Sequence, residues 1–265
     1  MLLAVDIGNT NTAFGLAKNG RIVRAFNIPT NAYTSKELKA KTGSFISDAV
    51  ICSVVPEATR KLKQDLLALT GRKPYIIGKD IKVPIKNLYR KPKQVGQDRL
   101  VNAYAAANLY GVPLIAIDFG TAVTFDIISA KKEYLGGMIL PGLKISLEAL
   151  NQRTALLPKI KLEEPESFIG KDTKNSMLSG IVYGFGSLTD ELITRIRKVI
   201  GRNAIAIATG GNTELISKYC QKINKIDRDL TLKGLSMLYL LDLASARPRI
   251  SLNQTLRSSI FKKNS

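Results

Sequence analysis

The hydrophobic and polar positions in the first half of the chain predict a mixed α/β unit. Alternating and β-branched runs indicate strands, whereas apolar residues three and four positions apart indicate helices. Asn19-Gly20, between the second and third apolar runs, is typical of a two-residue hairpin turn. The predicted elements are strands at 2–6, 12–17 and 21–27, a helix at 35–46, a strand at 49–55, a helix at 56–70 and a strand at 74–77.

The second half repeats this order of elements. Self-similarity of this kind predicts a duplicated architecture. We therefore expect an α/β fold of two similar lobes with a cleft between them. The predicted elements are strands at 114–118, 122–128 and 133–140, a helix at 143–150, a long helix at 173–200, a strand at 204–208, a helix after Gly211-Asn212 and an amphipathic helix at 232–246.

The boundary between the lobes is predicted near Gly111-Val112-Pro113, where a helix ends in Gly and Pro. This boundary gives an N-terminal lobe at 1–112 and a C-terminal lobe at 113–246. We expect no flexible linker, because no Ser/Gly-rich stretch separates the halves. The remaining residues, 247–265, form a basic tail that we expect to be disordered.

Both halves carry the same turn. Residues 4–12 read AVDIGNTNT and residues 116–124 read AIDFGTAVT, so each is an apolar strand and an aspartate followed by Gly and Thr. Glycine lets such a turn present backbone N–H groups to a phosphate, and threonine adds hydroxyl donors. The residues that suit this role are Gly8, Thr10 and Thr12 in the first turn and Gly120, Thr121 and Thr124 in the second.

The aspartates that precede these turns can serve the same ligand. Asp6 and Asp118 end their strands at the cleft, where carboxylate oxygens can hold hydrated magnesium or a monovalent cation. A single turn of this kind would more simply be a plain hairpin. Two equivalent copies in a duplicated frame favour phosphate binding.

Composition narrows the chemistry further. The chain has 265 residues, 40 of them Lys or Arg and 21 Asp or Glu, a net charge of +19 and no histidine. Ser–His–Asp and Cys–His catalysis and His-rich zinc sites are therefore excluded. The positive charge attracts nucleotides, nucleic acid and acidic lipids alike and does not choose among them. Basic residues gather at 82–93 and in the tail, where solvated surface is the simplest interpretation.

The sequence predicts a cytoplasmic protein with no membrane partner. No apolar run approaches the ~20 residues that cross a bilayer, and no signal-peptide pattern follows Met1. Cys52 and Cys220 lie in apolar stretches, which is typical of two buried thiols rather than a disulfide.

A third segment adds a place for a nucleotide base. Residues 204–215, AIAIATGGNTEL, read as a strand, two glycines and a helix. Gly210 and Gly211 allow close approach by a flat ligand such as adenine, and the helix N-terminus offers free N–H donors. After two phosphate turns, this segment completes a nucleotide site. The pattern resembles the actin-like (ribonuclease H-like) ATPase fold that sugar kinases, acetate kinases and heat-shock chaperones share.

An ordered set of motifs narrows the resemblance to the type III pantothenate kinases. Each motif is generic alone, whereas the set in family order is specific and spans roughly residues 1–242. The motifs are DIGNTNT at 6–12, CSVVP at 52–56, YRKPKQVGQDR at 89–99, DFGTA at 118–122, GGMILPG at 136–142, Asp172-Thr173 before a helix, and ATGG at 208–211.

The resemblance implies transfer of the ATP γ-phosphate to the terminal hydroxyl of pantothenate, which gives 4'-phosphopantothenate in the first step of coenzyme A synthesis. It implies that Asp98 accepts the proton, that Asp118 binds potassium or ammonium, and that the active form is a homodimer with pantothenate near the subunit interface. Magnesium is expected to accompany ATP. The implied pantothenate contacts are Tyr89, Gly96, Gln97, Asp98, Arg99 and Thr173. The expected ATP contacts are Asp6, Ile7, Gly8, Asn9, Thr10, Asn11, Thr12, Ala13 and Thr121, with Gly210 and Gly211.

The residue types suit this chemistry. A carboxylate can accept a hydroxyl proton without histidine, and Asp98 opens an amphipathic helix whose positive end favours its charged form. Arg99 can grip a carboxylate such as that of pantothenate through its planar fork. The simpler alternatives are a plain N-cap for Asp98, a surface ion pair for Arg99, a packed ring for Tyr89 and a helix cap for Thr173.

Three features depart from the family pattern: Gln97 in place of a small residue, the basic tail and the +19 charge. They keep open a second hypothesis, a nucleotide-binding regulator of the same fold that resembles the Bvg accessory factors and contacts nucleic acid. No helix-turn-helix, zinc spacing or aromatic–basic pattern supports it, so nucleic acid is not the expected partner. A third hypothesis is a chaperone-like or filament-forming ATPase, but the chain lacks a peptide-binding domain.

Overall fold

The computed structural model describes residues 1–43 and 46–246. The predicted tail at 247–265 lies outside the described residues, so its expected disorder stays a prediction. The first half contains β1 (Leu2–Ile7), β2 (Asn11–Lys18), β3 (Arg21–Pro29), α1 (Ser35–Thr42), β4 (Asp48–Ser53), α2 (Pro56–Thr70) and β5 (Tyr75–Ile76).

Between the two repeats lie an added strand, β6 (Lys86–Asn87), and a helix, α3 (Gln97–Leu109). Short 3₁₀ turns lie at Thr30–Ala32 and Pro92–Gln94. The elements that follow are β7 (Leu114–Phe119), β8 (Ala122–Ile128), β9 (Glu133–Pro141), α4 (Leu143–Arg153), α5 (Thr173–Ile200), β10 (Ile205–Thr209), α6 (Thr213–Ser217), β11 (Lys225–Ile226) and α7 (Leu230–Ala246).

The strand orders show the duplication directly. The first sheet has the order β3-β2-β1-β4-β5, and the second has β11-β10-β7-β8-β9-β6. Strands β1, β2 and β3 form an antiparallel set, and β4 and β5 run parallel to β1. In the same way β7, β8 and β9 are antiparallel, and β10 and β11 run parallel to β7. Strands β7 to β11 therefore repeat β1 to β5, which confirms the predicted duplicated α/β architecture. Strand β6 is an addition, parallel to β9 at the sheet edge.

Several element bounds follow local signals. Helix α2 has Pro56 in its first turn, and α5 begins where the Asp172 carboxylate accepts a hydrogen bond from the Asn175 backbone N–H. Asn19 and Gly20 have φ angles of 51° and 80°, as a type I′ hairpin requires. The predicted helix at 35–46 was too long, because Gly43 with φ 66° ends α1 at Thr42.

Helices α3 and α7 form a layer between the two sheets. Leu232 and Leu235 of α7, with Val101 of α3, pack on the first sheet. The alanines of α3 pack on the second sheet. We call the faces that contact these helices the inner faces. The two halves thus share helices, and the predicted division at residue 112 stays a prediction.

The outer faces carry the remaining helices. Helices α1 and α2 cover the first sheet, and α5 and α6 cover the second. Cys52 is buried, Cys220 is half-buried, and both are free thiols. None of the helices at 1–43 and 46–246 is long and apolar enough to cross a bilayer.

Candidate active site

Asp6 and Asp118 occupy equivalent places on the two central strands. Ala4 of β1 and Ala116 of β7 are buried on the inner faces. Because side chains alternate along a strand, the aspartates two residues later extend the same faces. Asp6 pairs in register with Ala13, and Asp118 pairs with Thr124. The duplication thus brings one carboxylate from each sheet toward the helix layer.

Asp98, in the first turn of α3, lies close enough to both carboxylates to repel their charges. Loss of solvent contact, followed by the negative charges of Asp98 and Asp118, raises the pKa of Asp6 to about 8. Burial likewise raises the pKa of Asp118 to about 7, together with Asp98 and Asp126, while a hydrogen bond from Asn102 opposes the rise. The ligand-free site therefore favours protons or cations among these carboxylates.

The first turn presents some predicted ATP residues and buries others. Asn9, Thr10 and Asn11 are exposed at its tip. The Gly8 N–H donates to the Asn11 carbonyl at 3.0 Å and closes the turn. Thr12 is buried, and its hydroxyl lies 3.0 Å from that of Thr30.

The two remaining predicted ATP residues here are Ile7 and Ala13. The Ile7 side chain is buried between the first sheet and helices α1 and α2, so Ile7 offers a ligand only its main chain. Ala13 is half-buried on the inner face of the same sheet. Direct polar contact with a phosphate therefore falls to the exposed tip of the turn.

The second turn meets both the first turn and the segment after β10. The Thr121 and Thr10 hydroxyl oxygens lie 2.9 Å apart. The Asn212 side chain donates to the carbonyl oxygens of Phe119 and Gly120 at 3.2 and 3.4 Å. The three predicted nucleotide segments therefore meet in one place.

Gly210 and Gly211 differ in their surroundings. Gly210 has φ 96°, and a Cβ there would lie 2.2 Å from Asp118 Oδ1, so a larger residue would displace the carboxylate. Gly211 is exposed, and a Cβ there would meet no heavy atom within 4 Å. Only Gly211 thus offers open space for a flat ligand.

The start of α3 fixes Asp98. Gly96, not Asp98, is the N-cap residue. The Asp98 Oδ1 atom accepts a hydrogen bond from the Arg99 N–H at 2.9 Å. A Cβ at Gly96 would lie 2.3 Å from this same oxygen, so the carboxylate packs over bare backbone. The Gln97 side chain instead packs toward Gly78, where a Cβ would lie 2.7 Å from its Cδ atom.

Arg99 forms a buried ion pair rather than a surface one. Its Nη2 atom lies 2.7 Å from Oδ1 of Asp126, whose side chain is 1% exposed. The Tyr134 hydroxyl donates to the same oxygen at 2.8 Å. Burial raises the pKa of Asp126 to about 6, although Arg99 and Tyr134 oppose the rise.

Sequence reasoning missed Asp126 and Tyr134. The available signal was an aspartate inside the predicted strand 122–128, because a charge within an apolar strand needs a partner.

Asn102 is another missed residue. It lies one turn after Asp98 on α3 and is 2% exposed. Its Nδ2 atom donates to Asp118 Oδ2 at 3.4 Å, and its Oδ1 atom accepts from the Thr231 hydroxyl of α7 at 2.7 Å. The Asp118 side chain is thus tied to both helices of the middle layer.

The last two predicted acceptor residues, Tyr89 and Thr173, contact different parts of the chain. Tyr89 packs its ring over Gly136, where a Cβ would lie 3.6 Å from Cδ2, on the Tyr134 side of the site. Thr173 is exposed at the start of α5 and has no described contact with the carboxylates. It lines a cavity of about 560 Å³ together with Leu150, Leu157, Gly170, Lys171, Asp172, Ser176 and Met177.

The carboxylates do not form a metal-binding cage. At 1–43 and 46–246, no group of three or more Cys, Asp or Glu side chains is arranged to hold a metal ion. An ion at Asp6 or Asp118 would therefore need ligands from phosphate, water or backbone carbonyls. Half-buried carboxylates with raised pKa values fit that use, because a cation would relieve their mutual repulsion.

Comparison of the sequence with those of known proteins identifies related proteins. The sequence model of the family described as type III pantothenate kinase matches residues 2–195. A protein from Syntrophotalea carbinolica named type III pantothenate kinase is 39% identical over 251 residues, which cover 91% of this chain and 98% of that protein.

Solved structures share the fold at low identity. A Campylobacter jejuni protein assigned to the Baf family of transcriptional activators has a TM-score of 0.57 and 19% identity, covering 91% of this chain and 99% of its own. The activator of 2-hydroxyisocaproyl-CoA dehydratase from Clostridium difficile, with bound ADPNP, has a TM-score of 0.53 and 14% identity, covering 100% of this chain and 98% of its own. These likenesses confirm the actin-like fold and carry no function.

Proposed function

The chain belongs to the type III pantothenate kinases and phosphorylates pantothenate with ATP, and we propose that Asp98 is its proton acceptor. The observation that supports this role is the convergence of Asp98 with Asp6 and Asp118, one carboxylate from each half around the start of α3. The turns that contain Thr10 and Thr121 contact each other beside these carboxylates, and the segment after β10 contacts the second turn.

The reaction needs positioning more than covalent help. The pantothenate hydroxyl oxygen bonds to the γ-phosphorus, the bond to the bridging oxygen of ADP breaks, and the hydroxyl proton passes to the Asp98 carboxylate. Because phosphoryl transfer has a loose transition state, orientation and charge stabilisation supply most of the rate. The start of α3 suits Asp98 to this task, since the helix dipole favours a carboxylate there.

We place the ATP phosphates at the two turns and the adenine near the open space beside Gly211. The Thr10 and Thr121 hydroxyls and the exposed N–H groups of the first turn are the donors. Ile7 and Ala13 contribute only backbone or shape. The proposed set is Asp6, Ile7, Gly8, Asn9, Thr10, Asn11, Thr12, Ala13, Thr121, Gly210 and Gly211.

Cations would offset the charge between triphosphate and carboxylates. Magnesium bound with ATP supplies neutralisation of the phosphate oxygens, and Asp6 is the residue that would hold it or its water ligands. Asp118 would hold potassium or ammonium. Both assignments rest on the half-buried carboxylates described above and on the family resemblance.

On the acceptor side we propose that Tyr89, Gly96, Gln97, Arg99 and Thr173 contact pantothenate. Thr173 has no described contact with the carboxylates of its own chain, and we propose, as the resemblance implies, a homodimer with pantothenate near the subunit interface. The regulator hypothesis is not favoured, because its structural match is only 19% identical whereas a kinase sequence is 39% identical. We propose a cytoplasmic location, where ATP is available.

Coupled measurement of ADP release tests the function. Addition of pantothenate to enzyme, ATP, magnesium and potassium should start ADP release and yield an equal amount of 4'-phosphopantothenate. Release of ADP at the same rate without pantothenate would favour the chaperone-like ATPase instead. Salt-dependent, sequence-selective DNA binding without any kinase activity would favour the regulator.

A further inference from the structure

The Arg99 guanidinium is held along one edge by the second sheet. Its Nε atom donates to Asp126 Oδ1 at 2.8 Å, and its Nη2 atom lies 2.7 Å from the same oxygen in an ion pair. Nη2 also donates to the Phe125 carbonyl at 3.3 Å. The Tyr134 hydroxyl donates to the same Asp126 oxygen at 2.8 Å, so two hydrogen bonds and the Nη2 ion pair converge on one atom. The position of the guanidinium is therefore set by β8 and β9.

This ion pair lies where charge is costly. Tyr134 is 0% exposed, Asp126 is 1% exposed and the Arg99 side chain is 11% exposed. Burying two charges costs free energy that their attraction often fails to recover, so stability alone explains such a pair poorly. Asp126 also places another carboxylate beside Asp98 and Asp118, which repel it. An orienting role accounts for retaining it.

Strand β9 leaves room for the guanidinium. Gly137 is the register partner of Asp126. A Cβ at Gly137 would lie 2.3 Å from Arg99 Nη2 and 2.0 Å from the Phe125 carbonyl oxygen. Any other residue would push Arg99 away from Asp126. This close approach gives the glycine pair at 136–137 a physical reason.

The opposite edge of the guanidinium stays available. None of the described residues hydrogen-bonds Nη1 of Arg99. Because the guanidinium plane is held in place, Nη1 can offer a charge-assisted hydrogen bond to a carboxylate from a fixed position. Arg99 directly follows Asp98 and interacts with its charge. Arg99 therefore lies beside Asp98, where we propose that the acceptor binds.

We propose that Asp126 and Tyr134 are positioning residues for pantothenate. They hold Arg99 so that its Nη1 edge binds the substrate carboxylate, and neither touches the substrate. This inference rests on the proposed function, in which Arg99 contacts pantothenate. It adds that the affinity for pantothenate is set from a buried site in the second sheet.

Steady-state kinetics of matched variants test the proposal. Tyr134→Phe removes only a hydroxyl and should raise the KM for pantothenate about threefold, with the KM for ATP unchanged. Asp126→Asn should raise it about tenfold or more, since a hydrogen-bonded charge is lost. Tyr33→Phe is the control, because its hydroxyl also donates to a carboxylate, Asp65 Oδ2, at 3.0 Å. Its KM values should stay those of the parent enzyme.

A double-variant comparison checks that the effect passes through Arg99. Combining Asp126→Asn with Arg99→Lys should cost no more than about twofold beyond Arg99→Lys alone. Fully multiplicative effects, or equal rises in KM for both substrates, would overturn the proposal. Should Asp126→Asn fail to fold in a thermal melt, Tyr134→Phe decides the question.

Calorimetry without ATP separates this inference from the proposed function. Pantothenate binding should weaken in Tyr134→Phe and not in Tyr33→Phe. If the parent enzyme binds pantothenate without phosphorylating it, the proposed function fails while the binding comparison still decides the positioning role. Equal dissociation constants in the parent and Tyr134→Phe proteins would refute the positioning role alone.

Discussion

The Thr10 and Thr121 hydroxyls lie 2.9 Å apart although they belong to different halves of the duplicated chain. Thr10 lies four residues after Asp6, and Thr121 lies three residues after Asp118, each beyond the glycine of its turn. The duplication has therefore produced a single point at which both turns present a hydroxyl. A phosphate at this point can take a donor from each lobe, so its binding would tie the lobes together.

Removing one of these hydroxyls should weaken ATP binding. Thr121→Val keeps the shape of the side chain, and we expect the KM for ATP to rise about three- to tenfold, as for one lost hydrogen bond to a charged group. Thr121→Ser, which retains the hydroxyl, should stay near the parent value. Equal KM values for the valine and serine variants would show that the hydroxyl takes no part.

Replacing the proposed proton acceptor should stop turnover and leave binding intact. In Asp98→Asn we expect kcat to fall about 10²- to 10⁴-fold, since general-base catalysis supplies an effect of that order. Coupled ADP release gives kcat, and calorimetry gives the dissociation constants for ATP and pantothenate. Glu57→Gln, on an exposed part of α2, controls for the loss of one negative charge. Full activity in Asp98→Asn would end the assignment.

The half-buried carboxylates Asp6 and Asp118 should make the ligand-free chain less stable as pH rises. Their raised pKa values mean that the folded chain binds protons more tightly than the unfolded chain does. The stabilisation is complete below the ordinary value of 3.8 and is lost as pH passes about 7 for Asp118 and about 8 for Asp6.

Thermal melts over about pH 5 to 8.5 measure this effect, since stability should fall with rising pH across that window. Asp6→Asn should flatten the decline, and Glu57→Gln should keep it. A parent protein whose melting temperature rises steadily over the window, with the same slope in Asp6→Asn, would contradict the expectation.

Adjacent glycines should respond differently to alanine. Gly210→Ala forces a side chain into positive φ and toward Asp118, and we expect it to lower the free energy of unfolding by about 1–3 kcal/mol. Gly211→Ala enters open space, so the melting temperature should hold while the KM for ATP rises. Denaturant unfolding and steady-state kinetics provide the two measurements. Unchanged ATP kinetics in Gly211→Ala would remove adenine from that position.

The proposed cation site predicts a dependence on the identity of the monovalent ion. Replacing potassium by sodium should lower the rate in the parent enzyme, because the two ions differ in radius and in preferred coordination. Asp118→Asn should be slow in both salts. The rate of ADP release at constant ionic strength is the readout, with ammonium as a second ion of similar size. Indifference of the parent enzyme to the exchange would mean that Asp118 has another task.

Local signals were enough to predict most of the fold. Helices α2 and α5 occupy the predicted ranges because Pro56 and Asp172 mark their starts and Gly71 and Gly201 their ends. The duplication could be predicted from the sequence because each half repeats the same order of strand-like and helix-like segments. The two-residue strands β6 and β11 carry no periodicity and are defined only by their partners.

Side-chain pairing was harder to predict than position. The resemblance gave Arg99 a role, but its partner Asp126 lies in another element and belongs to no motif. The same holds for Asn102 and Thr231, which meet only because α7 returns to α3. Sequence patterns report which face a residue occupies, whereas such pairs depend on how distant elements come together.

The return of α7 to the first sheet has a consequence for synthesis. Leu232 and Leu235 cover an apolar surface made largely of residues from the opening strands. During translation, that surface stays exposed until the residues of α7 have been synthesised. A product truncated before residue 230 would therefore expose the apolar surface of β1 and β2. We expect such a fragment to aggregate rather than to fold as an independent lobe.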